Sequence, residues 1–96
     1  MIENVRTTVL DQMVGNTPLL EVDLTYKGRE VRVFAKSEHL NLTGTIKDRM
    51  ALHILKEGYR TGALTKDCLI AEATSGNTGI SFAAMGRAFG HKVVIH

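Results

Sequence analysis

The sequence of 96 residues contains no tryptophan and a single cysteine, and these scarcities exclude several classes of protein. Only 5% of the residues are aromatic and the formal net charge is +2, without a basic stripe, so nucleic-acid binding is not expected. Cys68 alone cannot form an intrachain disulfide, which agrees with a reducing compartment. The first residues lack the apolar core of a signal peptide, and no apolar run approaches the roughly 20 residues that span a bilayer. We therefore expect a cytoplasmic protein.

The composition that remains is typical of a globular domain, with 44% hydrophobic and 23% charged residues. Apolar side chains at helical spacing predict a short helix over residues 5–14, with Gly15 as its end. Two apolar runs, residues 19–22 and 31–35, flank a turn that contains Gly28. The simplest interpretation of these runs is a pair of strands joined as a hairpin.

A second helix is predicted after either Thr43 or Thr45, since both side chains are suitable N-caps. The predicted helix ends at Gly58, where a C-terminal glycine is expected. Its apolar stripe at helical spacing consists of Ile46, Met50, Ile54 and Leu55.

The last part of the chain alternates strand and helix. We predict a strand over residues 68–71, a helix over 80–89 that is apolar nearly all round and ends at Gly90, and a strand over 93–95. Alternation of this kind is typical of a parallel α/β fold. Parallel sheets are normally covered on both faces, and three helices cannot cover this sheet well. The chain is therefore predicted to be the opening third of a larger enzyme domain.

The polar segment from Thr74 to Gly79 is the first candidate binding site. It lies between a predicted strand and a predicted helix, where free N–H groups and the helix dipole favour anions. An ordinary capped turn is the alternative interpretation. The chain has no Gly-x-Gly-x-x-Gly fingerprint, no P-loop and no Gly-x-Ser-x-Gly elbow. The expected anion is then a carboxylate or another small group.

Lys47 is the second candidate, because it lies in the predicted first turn of a helix. A cation there faces the unfavourable end of the helix dipole, and partial burial would further favour the neutral amine that a Schiff-base lysine needs. The alternative is a solvated surface lysine. Asp48 and Arg49 are interpreted as structural, and Cys68 as a small buried hydrophobe at the start of a strand. No metal site is expected, since no metal-ligand spacing relates the four histidines, His39, His53, His91 and His96.

Three segments together resemble one family. Residues 15–19 (GNTPL), 47–51 (KDRMA) and 72–79 (EATSGNTG) are similar, in the same order, to the cysteine synthase and cystathionine β-synthase family. These are pyridoxal-phosphate enzymes of the tryptophan-synthase-β fold group. The resemblance covers nearly all of the chain, and it implies the N-terminal portion of a parallel-sheet, three-layer α/β fold.

The resemblance also implies roles for individual residues. Lys47 matches the lysine that holds pyridoxal 5'-phosphate as an internal aldimine and moves the Cα proton. Asn77 matches the asparagine that hydrogen-bonds the phenolic oxygen of the cofactor. The loop that closes on the α-carboxylate of the substrate is matched by Thr74, Ser75, Gly76 and Thr78.

The implied activity is β-replacement, in which O-acetylserine and sulfide give cysteine. Cystathionine β-synthase-like, diaminopropionate-forming and serine or threonine dehydratase activities on the same fold are alternatives, as is a non-catalytic remnant that acts in binding or assembly. The phosphate-binding loop of the family and the partner of the pyridine nitrogen are expected beyond His96. The resemblance therefore predicts an inactive chain in isolation, and a homodimer when the protein is full length.

Overall fold

The computed structural model describes residues 9–96. Residues 9–13 are helical, as predicted, while residues 5–8 of the first predicted helix lie outside the described part. A short 3-10 helix, Glu38–Leu40, precedes the first long helix. The strands and longer helices are, in chain order, β1 (Leu19–Tyr26), β2 (Arg29–Lys36), α1 (Lys47–Thr61), β3 (Ile70–Glu72), α2 (Asn77–Ala88) and β4 (Val93–Ile95).

Strands β1 and β2 form the predicted antiparallel hairpin, and both are longer than the sequence suggested. Their pairing runs to Tyr26 opposite Arg29, which leaves a turn of Lys27 and Gly28. Both turn residues have positive φ angles, 51° and 74°, as a type I′ turn requires. Val22 is half-buried, and the other side chains of the hairpin strands are exposed.

Helix α1 begins at Lys47, whose N–H donates to the hydroxyl of Thr45 at 3.3 Å. Neither predicted N-cap was correct, because the N-cap residue is Ile46, which makes no side-chain capping hydrogen bond. The helix ends at Gly62, which has a φ of 80°. The predicted end at Gly58 was wrong. Gly58 lies inside the helix and has no positive φ, and Leu64 packs against it: a Cβ at Gly58 would lie 2.9 Å from the Cβ of Leu64.

The predicted apolar stripe of α1 was correct for Leu55 and wrong for its other members. Ile46, Met50 and Ile54 are all exposed. The buried face carries Asp48, Ala51, Leu52 and Leu55, and α1 packs against α2. Helical spacing identifies apolar residues but does not show which of two adjacent faces the neighbouring helix covers.

Strands β3 and β4 are parallel, as predicted, with Ile70 opposite Val93. Strand β3 begins at Ile70, so the prediction that Cys68 starts the strand was wrong. Cys68 lies before the strand, where its sulfur accepts a hydrogen bond from the N–H of Thr65 at 3.4 Å. The hydroxyl and N–H of Thr65 lower the pKa of the Cys68 thiol.

Helix α2 lies very close to the parallel strands because two glycines one heptad apart face them. A Cβ at Gly79 would lie 2.5 Å from Cγ2 of Thr74, and one at Gly86 would lie 2.6 Å from Cγ2 of Val93. Any larger side chain at these positions would require the helix or its neighbours to shift.

The core among residues 9–96 is small and lies mainly between the helices. Helix α2 is not buried on every side, since Ile80 is 54% exposed. No helix in the described part is both long and apolar enough to cross a membrane. The buried hydrophobic residues are Leu10, Ala51, Leu52, Leu55, Phe82 and Met85.

A polar cluster closes the end of the core opposite the N-termini of the helices. The imidazole of His91 is buried, and its Nδ1 lies 2.8 Å from the carbonyl oxygen of Cys68. Since a carbonyl only accepts hydrogen bonds, Nδ1 carries the proton and donates it. The other ring nitrogen pairs with the hydroxyl of Tyr59, whose ring stacks on Phe89 at 5.4 Å between centroids.

Candidate active site

Lys47 is the first residue of α1, and its side chain is exposed. The partial burial expected from the sequence is therefore not found. Within residues 9–96 no hydrogen bond or ion pair engages the amine of Lys47. The amine is free to react with a bound molecule.

Asn77 is the first residue of α2, so the predicted six-residue loop was wrong in its second half. Asn77, Thr78 and Gly79 form the first helical turn, in which the N–H of Gly79 donates to the carbonyl of Gly76 at 3.1 Å. The Asn77 side chain is exposed, and the described part of the chain offers it no hydrogen-bond partner. The segment that resembled a substrate loop thus includes a helix N-terminus.

The loop before α2 is held at the sheet edge. The N–H of Thr74 donates to the carbonyl of His96 at 3.0 Å, and the hydroxyl of Thr74 accepts the N–H of Gly76 at 3.2 Å. Ser75 is exposed, and Thr78 is half-buried. Thr74, Ser75, Gly76 and Thr78 therefore lie together at the carboxyl end of β3, where ligands bind in open α/β sheets.

Asp48 joins the N-terminal ends of the two helices. One carboxylate oxygen of this buried side chain accepts the hydroxyl of Ser81 at 2.6 Å and the hydroxyl of Thr43 at 2.5 Å. The other oxygen accepts the N–H of Thr43 at 2.6 Å. Because Asp48 follows Lys47 directly and Ser81 lies one turn after Asn77, the contact places Lys47 and Asn77 at the same end of the helix pair.

Arg49 forms a separate network with Glu38. The guanidinium donates to both carboxylate oxygens, at 2.8 and 2.9 Å, and the hydroxyl of Thr17 donates to one of them at 2.7 Å. These contacts, with a further hydrogen bond from Asn41, lower the pKa of Glu38 to about 2, and the bidentate Arg49 pair is the largest cause.

The same network fixes segment 15–19. The side-chain oxygen of Asn41 accepts the N–H of Gly15 at 2.7 Å, and the amine of Lys36 donates to the carbonyl of Thr17. Gly15 has a φ of 82°, and a Cβ there would lie 3.1 Å from a guanidinium nitrogen of Arg49. Segment 15–19 and segment 47–51, which are distant in sequence, are therefore packed as one unit.

These contacts confirm the structural interpretation of Asp48 and Arg49. The sequence analysis missed their partners, Ser81 and Glu38. One signal for Ser81 was available, because it is a small polar residue in an otherwise apolar stretch of α2. Glu38 had no signal, since nothing distinguishes it from an ordinary surface glutamate.

Comparison with known proteins supports the resemblance. The family model described as "Pyridoxal-phosphate dependent enzyme" matches residues 10–96. The chain is 38% identical to a cysteine synthase from Dictyostelium discoideum over 82 residues, which cover 85% of this chain and 22% of that protein.

Two solved structures are also similar. A hydrogen sulfide-producing enzyme from Fusobacterium nucleatum is 51% identical with a TM-score of 0.89, and the match covers 96% of this chain and 28% of that one. A cysteine synthase from Entamoeba histolytica is 34% identical with a TM-score of 0.77, covering 90% and 27%. The chain thus spans about a quarter of the length of these proteins. The family match and the agreement in fold show that this chain belongs to the family of pyridoxal-phosphate dependent enzymes.

Proposed function

We propose that the protein containing these residues forms cysteine from O-acetylserine and sulfide by pyridoxal-phosphate-dependent β-replacement. The observation that carries the proposal is the placement of Lys47 and Asn77. Both side chains are exposed, neither has a partner within residues 9–96, and both begin helices that Asp48 joins at this end. The similarity to cysteine synthases supports this choice of reaction.

The donors at this end of the helix pair fit the cofactor. A primary amine with no competing ion pair is the group that reacts with an aldehyde, and an amide N–H can donate to a phenolic oxygen. A Cβ at Gly76 would meet no atom within 4 Å, so the loop leaves open space beside Asn77. When bound, pyridoxal 5'-phosphate supplies an electron sink for the substrate's Cα electrons.

The remaining chemistry belongs to the chain itself. In the proposal, Lys47 takes the Cα proton of the substrate and returns it after the sulfur nucleophile has added. Hydroxyl and N–H groups at the start of α2 bind the α-carboxylate, because the helix dipole favours an anion there. The residues proposed for this contact are Thr74, Ser75, Gly76 and Thr78. A homodimer and a cytoplasmic location complete the proposal.

A second candidate activity is hydrogen sulfide production, favoured by the 51% identity to the Fusobacterium nucleatum enzyme. The first activity forms a carbon–sulfur bond at the β-carbon of the substrate, and the second breaks such a bond. They differ in whether sulfide enters as the nucleophile or departs as the leaving group, so the same residues could serve either one.

The proposal is tested with Lys47→Ala in the intact protein. We expect the variant to lose covalent labelling by borohydride in the presence of cofactor, and turnover to fall by about 10²–10⁴-fold, because the proton-transfer group is removed. Lys92→Ala is the matched control, since Lys92 is also an exposed lysine. Labelling of the Lys47→Ala variant to the wild-type extent would overturn the assignment.

Substrate assays separate the candidate reactions. The intact protein is supplied with O-acetylserine, O-phosphoserine, serine or cysteine, each with sulfide or homocysteine as the nucleophile where one is needed. Fastest turnover of O-acetylserine with sulfide supports the proposal. Fastest release of sulfide from cysteine supports the second candidate, and no turnover of any substrate supports a non-catalytic role.

A further inference from the structure

We propose that Asp48, through its hydrogen bond to Ser81, is a positioning residue that fixes Lys47 relative to Asn77. The inference rests on the proposed function, because it concerns the two residues assigned there to cofactor chemistry. Neither Asp48 nor Ser81 is proposed to touch the cofactor or the substrate. Their effect would come through the relative placement of the two helices.

The environment of Asp48 makes it an effective restraint. Its side chain is fully buried, and its partners within residues 9–96 are neutral donors from Thr43 and Ser81. A buried carboxylate without a cationic partner depends on all its hydrogen bonds, since a lost bond leaves a buried oxygen without compensation. Movement of either helix end away from Asp48 is therefore opposed.

The hydrogen bond adds direction to a contact that is otherwise apolar. The faces of α1 and α2 meet through side chains such as Leu55 and Met85, and apolar contact is non-directional. Hydrogen bonds weaken steeply when the angle or distance changes. The hydrogen bond from Ser81 to Asp48 therefore opposes sliding and rotation of one helix relative to the other, at the end where Lys47 and Asn77 lie.

Thr43 extends the restraint to the chain entering α1. Thr43 lies four residues before Lys47, and both its N–H and its hydroxyl donate hydrogen bonds to the carboxylate of Asp48. A single carboxylate thus holds the approach to Lys47, the first turn of α1 and the second turn of α2. An asparagine at position 48 would carry an NH₂ group in place of one carboxylate oxygen. In one orientation of the amide this NH₂ would face the N–H of Thr43, and in the other it would face the hydroxyls of Thr43 and Ser81.

The test uses the intact protein loaded with pyridoxal phosphate, in the variants Ser81→Ala and Ser81→Cys. A thiol is a weaker donor than a hydroxyl, and alanine donates nothing, so the restraint should weaken in that order. We expect kcat to fall by about tenfold or more in Ser81→Ala and by less in Ser81→Cys, because small misplacements of reacting groups are costly. KM for the amino-acid substrate should change less than kcat.

A second readout is the absorbance spectrum of the bound cofactor without substrate. If Asn77 moves relative to the phenolic oxygen of the cofactor, the ratio of its visible and near-ultraviolet bands changes. Ser37→Ala is the matched control, since Ser37 is a buried serine with no side-chain hydrogen bond among residues 9–96. We expect the control to keep the wild-type kcat and spectrum, whatever its effect on thermal unfolding.

The outcomes separate this inference from the proposed function. Failure of the wild-type protein to bind cofactor through Lys47 overturns both. A loaded wild-type enzyme with Ser81 variants that match Ser37→Ala in kcat and spectrum overturns the positioning role alone. If Ser81→Ala does not fold, the Ser81→Cys variant decides, and a wild-type kcat and spectrum there contradict the inference.

Discussion

Asp48 and Glu38 illustrate how two acidic residues of one chain can differ in what holds them. Asp48 is fully buried and bound by neutral donors, whereas Glu38 is half-buried and paired with the Arg49 guanidinium. Hydrogen bonds lower the pKa of Glu38 from 4.5 to about 2, that from Arg49 most and those from Thr17 and Asn41 less. The two carboxylates are therefore held by different kinds of partner.

The lowered pKa of Glu38 predicts an acid-sensitive contribution to stability. Because the folded-state pKa lies below the unfolded value, the contribution is fully present above about pH 4.5 and is lost as the pH falls through about 2. Glu38→Gln should lower the melting temperature of the intact protein at pH 7 by a few degrees and reduce this dependence.

The control for Glu38 is Glu57→Gln, which removes a carboxylate from the exposed pair with Arg60 on α1. Exposed pairs of this kind contribute little to stability, so this variant should melt near the wild-type temperature at every pH. Equal melting curves for the two variants between pH 3 and pH 7 would show that the Glu38 network does not stabilise the fold.

At this scale the sequence points to residues with local signatures. Lys47 and Asn77 were predicted as site residues because they lie in short motifs. The partners of Asp48 and Arg49 were not found, because Ser81 is 33 residues from Asp48 and Thr17 is 32 residues from Arg49. Tertiary hydrogen bonds over such separations leave no periodic pattern in a single sequence.

At the scale of secondary-structure elements, the close contact between α2 and the parallel strands predicts that a larger residue at position 86 lowers stability. A Cβ there would lie 2.6 Å from Cγ2 of Val93 and 3.0 Å from Cδ1 of Ile70. Gly86→Ala should lower the free energy of unfolding by about 1–3 kcal/mol through overpacking, although better helix propensity offsets up to about 1 kcal/mol. Denaturant titration of the intact protein measures the net change.

Gly76→Ala is the matched variant for this stability measurement. A Cβ at Gly76 would meet no atom within 4 Å, so alanine there causes no overpacking. We expect an unfolding free energy close to that of the wild type. If Gly86→Ala and Gly76→Ala had equal unfolding free energies, the structure around Val93 would have to accommodate the added methyl group without loss of stability.

The identities of the elements were easier to predict than their ends. Apolar spacing found both long helices and both strand pairs. The end of α1 was misplaced because Gly58 and Gly62 are both plausible terminators, and only Gly62 of the two takes the left-handed conformation that ends the helix. Helix α2 begins earlier than its apolar residues do, because polar residues fill its first turn.

For the whole molecule, the distribution of apolar surface predicts the behaviour of this stretch in isolation. Within residues 9–96, six hydrophobic residues form the buried core, while many large ones, including Leu20, Phe34 and Ile80, are exposed. A polypeptide of these 96 residues alone should bind a hydrophobic dye strongly and show no sulfhydrylase turnover with pyridoxal phosphate. Turnover by that polypeptide would contradict the expectation that other parts of the protein are needed.

The overall architecture was only partly predictable. Alternating strands and helices indicated the parallel unit, and the turn at Gly28 indicated the hairpin. The part of the chain that the structure describes has two separate two-stranded sheets in a body of 58 × 30 × 20 Å. Local sequence patterns predict well which elements are adjacent along the chain. The relative arrangement of the hairpin and the parallel unit, which share few contacts, depends on packing that no local pattern encodes.

The contrast between the β1–β2 hairpin and the Asp48–Ser81 contact has a consequence for folding kinetics. The hairpin closes through a two-residue turn, which takes microseconds, whereas the helix contact must close a long loop at a greater entropic cost. We therefore expect the geometry of Lys47 and Asn77 to form late on the folding pathway. A ligand that requires this geometry would stabilise the native state more than the transition state, and would slow unfolding rather than accelerate folding.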